Sequence, residues 1–430
     1  MKVKPEPGYQ NIPVVLLYIL YIAFFIGFIF SFRAVSSISI ALLIITVPIY
    51  NKREHGNFFR KKIPSLLLSG CILIYLLQFT ALLYTNNLNE GWHHIQLKSA
   101  LLFVPFAVAG SDFLNEKRLN RLLTVYCILL LVASVYCLGS AIARYNHSHE
   151  LTTFFYHELV SPFSKHSIYF SILIFVALVF LLESIRKKFI VMSPTFHYSM
   201  IAFFSFFLLL LSSRLVLSFG AFYIIYFILF FFKKSKQRII LLSCLAIAGS
   251  GIMITKNPVS RRFHDLVVDD YSILKQDRYD PGTYFNGIQF RLLQWKIVPE
   301  ILTENNSWLL GVSPGDAQAF LNNKYVEKNM YTGESQRGDR GYLGYNTHNQ
   351  FLQTLLQNGL LGLCVFILIF FAFIRMLWQK KERMFSFVTI LLLLYSFLES
   401  LFETQYGLLL FLFFPLFFYT TSHKQNIPVD

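Results

Sequence analysis

The stretch of the chain best suited to chemistry is YNTHNQFLQTLLQNGLLGL, Tyr345 to Leu363, where polar residues give way to an apolar run. The imidazole of His348 can accept or deliver a proton near neutral pH, and the carboxamides of Asn349 and Gln350 can support it by hydrogen bonding. Thr347, followed three residues later by Gln350, fits a capping box and predicts Thr347 as N-cap and His348 as the first helical residue. Helical spacing then aligns His348, Leu352, Leu355 and Gly359, while Gly359 and Gly362 permit close approach of a neighbouring helix or a ligand chain. Taken alone, His348 and Asn349 read first as groups that solvate a helix end.

Two arginines stand out for different reasons. Arg214, in LLLSSRLVLSFGAFY, is flanked by apolar runs, where a cation is costly without a task or a partner such as Glu399 or Glu403. Arg291, in FRLLQWK, shares a long polar segment with ten other basic residues, and on sequence alone Arg261, Arg262 and Lys296 have an equal claim. A guanidinium binds phosphate oxygens through two parallel N–H groups, as an ammonium cannot. His166, in SKHSIYF, reads equally as an interfacial histidine beside Tyr169 or as part of a site. His147, His149 and His157 lack cysteines or carboxylates at firm ligand spacing, so no metal is expected. A Gly-rich phosphate loop, a Ser-His-Asp arrangement and a carboxylate pair of the nucleotide-sugar type are all missing, which disfavours a nucleotide-sugar glycosyltransferase. Glu399, Glu403 and Gln405 carry no assignment.

These residues must be positioned by membrane helices. Of 430 residues 55% are hydrophobic and 14% charged, with a mean hydropathy of +0.53, more apolar surface than a soluble core of this size can hide. The apolar residues form several continuous runs, so the expected class is all-α and polytopic. Against the ~20 residues needed to cross a ~30 Å hydrocarbon core, about twelve runs qualify. They lie near 14 to 31, 35 to 50, 63 to 84, 97 to 110, 121 to 141, 167 to 183, 198 to 212, 215 to 232, 239 to 255, 350 to 374, 385 to 402 and 405 to 421. The run at 97 to 110 is short, and the seventh and eighth are separated only by Ser213 and Arg214, where the chain can re-enter. All five cysteines fall inside apolar runs, which speaks against a disulfide framework. Lys2 and Lys4 before the first run, with no small-residue cleavage site after it, suggest an uncleaved first helix.

Loop charges orient the chain. With the amino terminus cytoplasmic, the inner loops hold Lys52, Arg53, Arg60, Lys61 and Lys62, then Lys117, Arg118 and Arg121, then Arg186, Lys187 and Lys188. Further along they hold Lys233, Lys234, Lys236 and Arg238, and finally Arg375, Lys380, Lys381 and Arg383. The short outer loops hold only Arg33, Arg144, Lys165 and Arg214, so the pattern obeys the positive-inside rule and expects both termini to be cytoplasmic. Most of the net charge of +15 is then topogenic and implies no nucleic-acid partner. The expected organisation is nine spans in residues 1–255, a periplasmic loop subdomain in 256–346, and three spans in 347–430. The loop is balanced in charge, and IQFRLLQWKIVPEIL and DAQAFLNNKY within it have helical spacing.

His-Asn, then nine residues, then Gly-Leu-Leu-Gly-Leu, following a large extracytoplasmic loop in a chain of about twelve spans, resembles the bacterial O-antigen ligase and O-antigen polymerase superfamily. Arg214 in its segment and Arg291 in FRLLQWK look like that family's two arginines. GVSPGD, Gly311 to Asp316, is similar to a glycine-rich turn found there, and ESLFETQYG looks like the version in the Bacteroidetes-like ligase branch. The likeness covers roughly His166 to Gly407. It implies a metal- and nucleotide-independent glycosyltransferase in the inner membrane, with its active site facing the periplasm. The implied reaction transfers a glycan from undecaprenyl diphosphate to a sugar hydroxyl of lipid A-core. Arg214 and Arg291 would hold the diphosphate, His348 would activate the acceptor, Asn349 and His166 would contact substrate, and no cofactor would take part. A polymerase of the same superfamily is the alternative reading. A lipid-linked glycan flippase or transporter is a third, disfavoured because the polar candidates gather at one surface and the spans look uninterrupted.

Overall fold

The computed structural model describes residues 12–58, 63–190, 192–255, 257–264, 271–334 and 339–421. Lys2, Lys4, Arg60, Lys61, Lys62 and both chain termini, which entered the orientation argument, lie outside the described residues. The described chain is helical, with no strand in it. Six helices make its first part: α1 (Ile12–Ile29), α2 (Arg33–His55), α3 (Ser65–Ala81), α4 (Leu88–Lys98), α5 (Ala100–Ala109) and α6 (Glu116–Ser148). The one-turn α7 (Tyr156–Leu159) leads to α8 (Ser167–Arg186), α9 (Pro194–Leu211), α10 (Arg214–Phe231) and α11 (Ser235–Ile254). The long connection contributes α12 (Pro258–His264), α13 (Gly287–Glu304) and α14 (Ala317–Glu327), followed by α15 (Gln350–Gln379), α16 (Arg383–Tyr395) and α17 (Gln405–Tyr419).

Eight of these, α1, α2, α6, α8, α9, α10, α11 and α15, are long and apolar enough to cross a membrane, and α3, α16 and α17 are shorter apolar helices. This is a multi-pass membrane protein. The run expected at 97 to 110 is divided between α4 and α5, which meet at Ser99, so a count of twelve requires that pair to act as one crossing. The seventh and eighth runs are separate helices that reverse at Ser212, whose φ is +50°.

Lipid tails are as apolar as leucine, so helices in a membrane associate through close packing and polar contacts rather than by escaping water. Here aromatic rings carry much of that packing. Phe24 stacks on Phe413 and Phe28 on Tyr406, each with ring centroids 4.0 Å apart, joining α1 to α17. Helix α17 is buried along nearly its whole length and α8 over most of it, whereas α11 buries no residue among its neighbours. Gly70 lets α3 press on α15, since a Cβ there would meet Ile369 Cγ1 at 2.6 Å.

Ion pairs gather the basic segments at one end of the bundle. Lys187 reaches Glu116 at 3.1 Å and Glu382 at 3.7 Å, while Arg186 and Arg383 both engage Glu183, linking α6, α8 and α16. The long connection folds at the other end. Both expected helices within it form, as α13 and α14, around Leu293, Ile297, Ile301, Leu321 and Tyr325, and this core also takes in Leu355 and Leu356 of α15.

The expectation of uninterrupted spans fails at Gly359. Its φ of +61° and ψ of −160° break the helical path of α15 in a region of backbone space that is essentially reserved for glycine. The amide of Leu360 instead donates to the Trp308 carbonyl at 2.8 Å, and that of Val312 donates to the Leu356 carbonyl at 2.8 Å. The GVSPGD turn is thus laid into the break. Gly311 sits so close to the backbone at Gln357 and Asn358 that a Cβ would overlap it at 2.5 Å. At the turn's end the Asp316 carboxylate accepts hydrogen bonds from Thr85 Oγ1 and the amides of Asn86 and Asn87, clamping the loop to the start of α4.

Candidate active site

The capping prediction for α15 is corrected by two residues. Asn349, not Thr347, is the N-cap, its side-chain oxygen accepting from the amides of Phe351 and Leu352 at 2.9 and 3.2 Å. Thr347 is used elsewhere, bonding to Gln353 and to Ser400 Oγ. His348 therefore stands outside the helix with φ +46°, a left-handed conformation, its amide donating to Asn346 Oδ1. The physical reason is a competing strand of chain. Gln350 donates from its amide to the Ser396 carbonyl and accepts from the Phe402 amide, so the turn at 396–402 zips onto 347–350 and shifts the helix start.

That zipper carries Glu399 to His348. Nδ1 of His348 lies 3.2 Å from Glu399 Oε1, with the imidazole flanked by the rings of Tyr345 and Phe290. A carboxylate can only accept, so Nδ1 is the donor and Nε2 is left as the proton-accepting nitrogen. Burial alone would raise the Glu399 carboxyl. The hydrogen bond from His348, together with the Arg291 guanidinium and the imidazoles of His348 and His166 close by, outweighs it and holds the group below the ordinary carboxylate range.

Arg291 enters from α13. Its Nε and Nη2 both donate to the carbonyl of Leu398, the residue preceding Glu399, at 3.2 Å, and Nη1 donates to the Gly287 carbonyl at 2.6 Å. Each terminal nitrogen keeps a further N–H, and the group faces solvent. His166 caps α8, and its ring lies 4.1 Å from that of His157 and 6.0 Å from that of Tyr169. The structure thus brings His348, Arg291 and His166 together around Glu399. Arg214 opens α10 at the same end of the bundle, where α10 packs beside α8 and α16. Asn349, expected to touch substrate, is turned inward as the helix cap.

Sequence reasoning left Glu399 without a role, set Tyr169 beside His166, and missed Lys98 and Tyr156. A carboxylate or ammonium inside apolar sequence is itself a signal, since it persists there only with a partner. Lys98 is buried in α4, donating to Gln78 at 3.0 Å and Gln357 at 2.8 Å, with Glu403 at 3.9 Å. Glu403 accepts from Gln353 and Gln357, so a polar seam runs down α15 from the His348 end toward its break. The clustered histidines separate: His149 caps α6 against Tyr145, and His157 joins His166.

Burial, aided by His166 and Arg262, lowers His157 to about 3, and burial, opposed by Glu399 but aided by His348, Arg262 and Arg291, lowers His166 to about 4, against an ordinary value near 6.5. Both are neutral in the fold, so the unfolded chain binds more protons as pH falls below about 6.5. Stability is full above that value and is lost as pH drops toward 4. Thermal unfolding in detergent should therefore begin at lower temperature at pH 5 than at pH 7.5, and His157→Gln with His166→Gln should flatten that difference. An equal pH response in the double variant would contradict the assignment.

At one end of the bundle of this multi-pass membrane protein, a carboxylate-oriented imidazole and a guanidinium thus share one turn. Residues 199–367, from within α9 into α15, match the family model described as O-Antigen ligase, which supports a place in the O-antigen ligase superfamily. That region contains Arg214, Arg291 and His348, whereas His166 and Glu399 lie outside it. No curated protein matches the chain.

Proposed function

We propose that this protein is an O-antigen ligase that transfers a glycan from undecaprenyl diphosphate to a sugar hydroxyl of lipid A-core. In this reading the bundle lies in the bacterial inner membrane with both termini cytoplasmic and the loop-bearing end in the periplasm. The single observation that carries it is that His348 and Arg291, both in the region that matches the family, meet at one turn beyond it, His348 on Glu399 and Arg291 on the adjoining Leu398 carbonyl.

Nε2 of His348 takes the proton of the acceptor hydroxyl as its oxygen bonds to the anomeric carbon. The bond from that carbon to phosphate breaks, and its electron pair leaves with the diphosphate, giving inversion in one displacement. Glu399 fixes the imidazole's orientation and stabilises the imidazolium, the role a carboxylate plays behind a catalytic histidine. Charge growing on the leaving group is met by Arg291 and Arg214, where preorganised guanidiniums need little rearrangement. Asn349 acts through the backbone, holding His348 at the helix mouth. No metal or cofactor enters this scheme.

Envelope glycolipids from a deletion strain test the reading. Ligase loss strands full-length chains on the carrier, polymerase loss leaves single repeat units there, and an unchanged profile removes both. Arg214→Lys is expected to lower turnover about tenfold or more, because a point charge cannot reproduce the planar fork; a wild-type rate in that variant would return Arg214 to a structural role.

A further inference from the structure

Arg262 lies in α12, at the point where the long connection leaves α11, and nothing in the motif pattern distinguishes it from its neighbours. Its place in the fold does. The guanidinium carbon lies 3.5 Å over the ring of Tyr156, whose own backbone is held at φ +54°. Tyr156 packs at 3.8 Å on His157, and the His157 ring meets His166 at 4.1 Å, so an aromatic ladder leads from Arg262 to the candidate site. The charges of Arg262 and Arg291 both act on His166.

Neither guanidinium forms a direct ion pair with a carboxylate among the described residues, although the charge of Arg291 acts on Glu399. Arg291 spends its bonds on two carbonyls, and the buried Nε of Arg262 has no hydrogen-bond partner there. A guanidinium stacked face-on against a ring keeps its N–H edge free, and that edge matches phosphate oxygens. A diphosphate spreads charge over two phosphorus centres and several oxygens, so it can engage a further guanidinium beside Arg291 and Arg214.

We infer that Arg262, stacked on Tyr156, is a further phosphate-binding residue that engages the diphosphate of the lipid-linked donor together with Arg291. The inference rests on the lipid diphosphate reading of the site. A stack of purely structural value would leave ligand affinity untouched, and that difference supplies the test.

Purified full-length protein is titrated with undecaprenyl diphosphate and, separately, with undecaprenyl monophosphate. Wild type should prefer the diphosphate. Arg262→Gln should weaken diphosphate binding by about tenfold while leaving the monophosphate within about twofold, and Arg262→Lys should fall between, since it keeps charge without the fork. Tyr156→Phe preserves the ring face and should bind like wild type. Diphosphate affinity unchanged in Arg262→Gln, or equal loss of both lipids, overturns the inference. If Arg262→Gln does not fold, wild-type diphosphate affinity in Arg262→Lys overturns it instead. Wild-type protein that binds neither lipid would defeat the donor reading itself, an outcome distinct from the failure of Arg262 alone.

Discussion

His348→Ala is expected to reduce glycan transfer by a hundred- to ten-thousandfold, about the contribution of a positioned general base, while the protein still inserts and folds. The fold should survive because the contacts that hold this turn do not use the imidazole. Asn349 caps α15, Thr347 binds Gln353 and Ser400, and the His348 amide binds Asn346 through the backbone. Two costs must be separated from catalysis. Position 348 has φ +46°, which alanine tolerates less well than histidine or asparagine, and removing the ring strips Glu399 of its hydrogen-bond donor. His348→Asn answers the first objection, since asparagine accepts the backbone but is no base at neutral pH. Both variants should be inactive with near-normal melting; activity within about tenfold of wild type in either would remove His348 from proton transfer.

Gly359→Ala is expected to damage folding rather than chemistry. The new Cβ would lie 2.3 Å from the carbonyl carbon and oxygen of Leu309, both backbone atoms with no freedom to turn aside. The conformation itself costs a non-glycine residue on the order of 1–3 kcal/mol, before any overlap is counted. Relief would require withdrawing the loop from the break in α15. That would free the bonds from Leu360 to Trp308 and from Val312 to Leu356, and would loosen α13, which carries Arg291. Low yield or a melting temperature lower by several degrees is expected. Wild-type melting and full protease resistance of the loop would show that the break is not needed.

Sequence resolved the periodic features well. Continuous apolar runs specify helices in a membrane because nothing else there can pair its own backbone groups, and α13 and α14 were legible from helical spacing. Arg291 and His348 were identified by type, and the fold joins them. What the sequence leaves without a role depends on contacts distant in sequence. Glu399 is fifty-one residues from His348 and reaches it only because the turn at 396–402 docks on the start of α15. The same docking moved the helix cap from Thr347 to Asn349, since local capping rules do not know that Thr347 has a better partner in Ser400. Gly359 read as a packing glycine on a continuous helix. Its real task, admitting the backbone of Leu309, depends on a loop that approaches from fifty residues upstream. In sequence Arg262 is one of several loop cations, and only the fold sets Tyr156 beneath it.

The most direct measurement combines purified protein, a glycan on undecaprenyl diphosphate and lipid A-core in one vesicle, and follows both products by mass spectrometry. Wild type should yield glycan-bearing lipid A-core and free undecaprenyl diphosphate in equal amounts, with neither formed by His348→Ala. Transfer that proceeds equally in the variant, or a donor that lengthens while lipid A-core stays bare, would contradict the account.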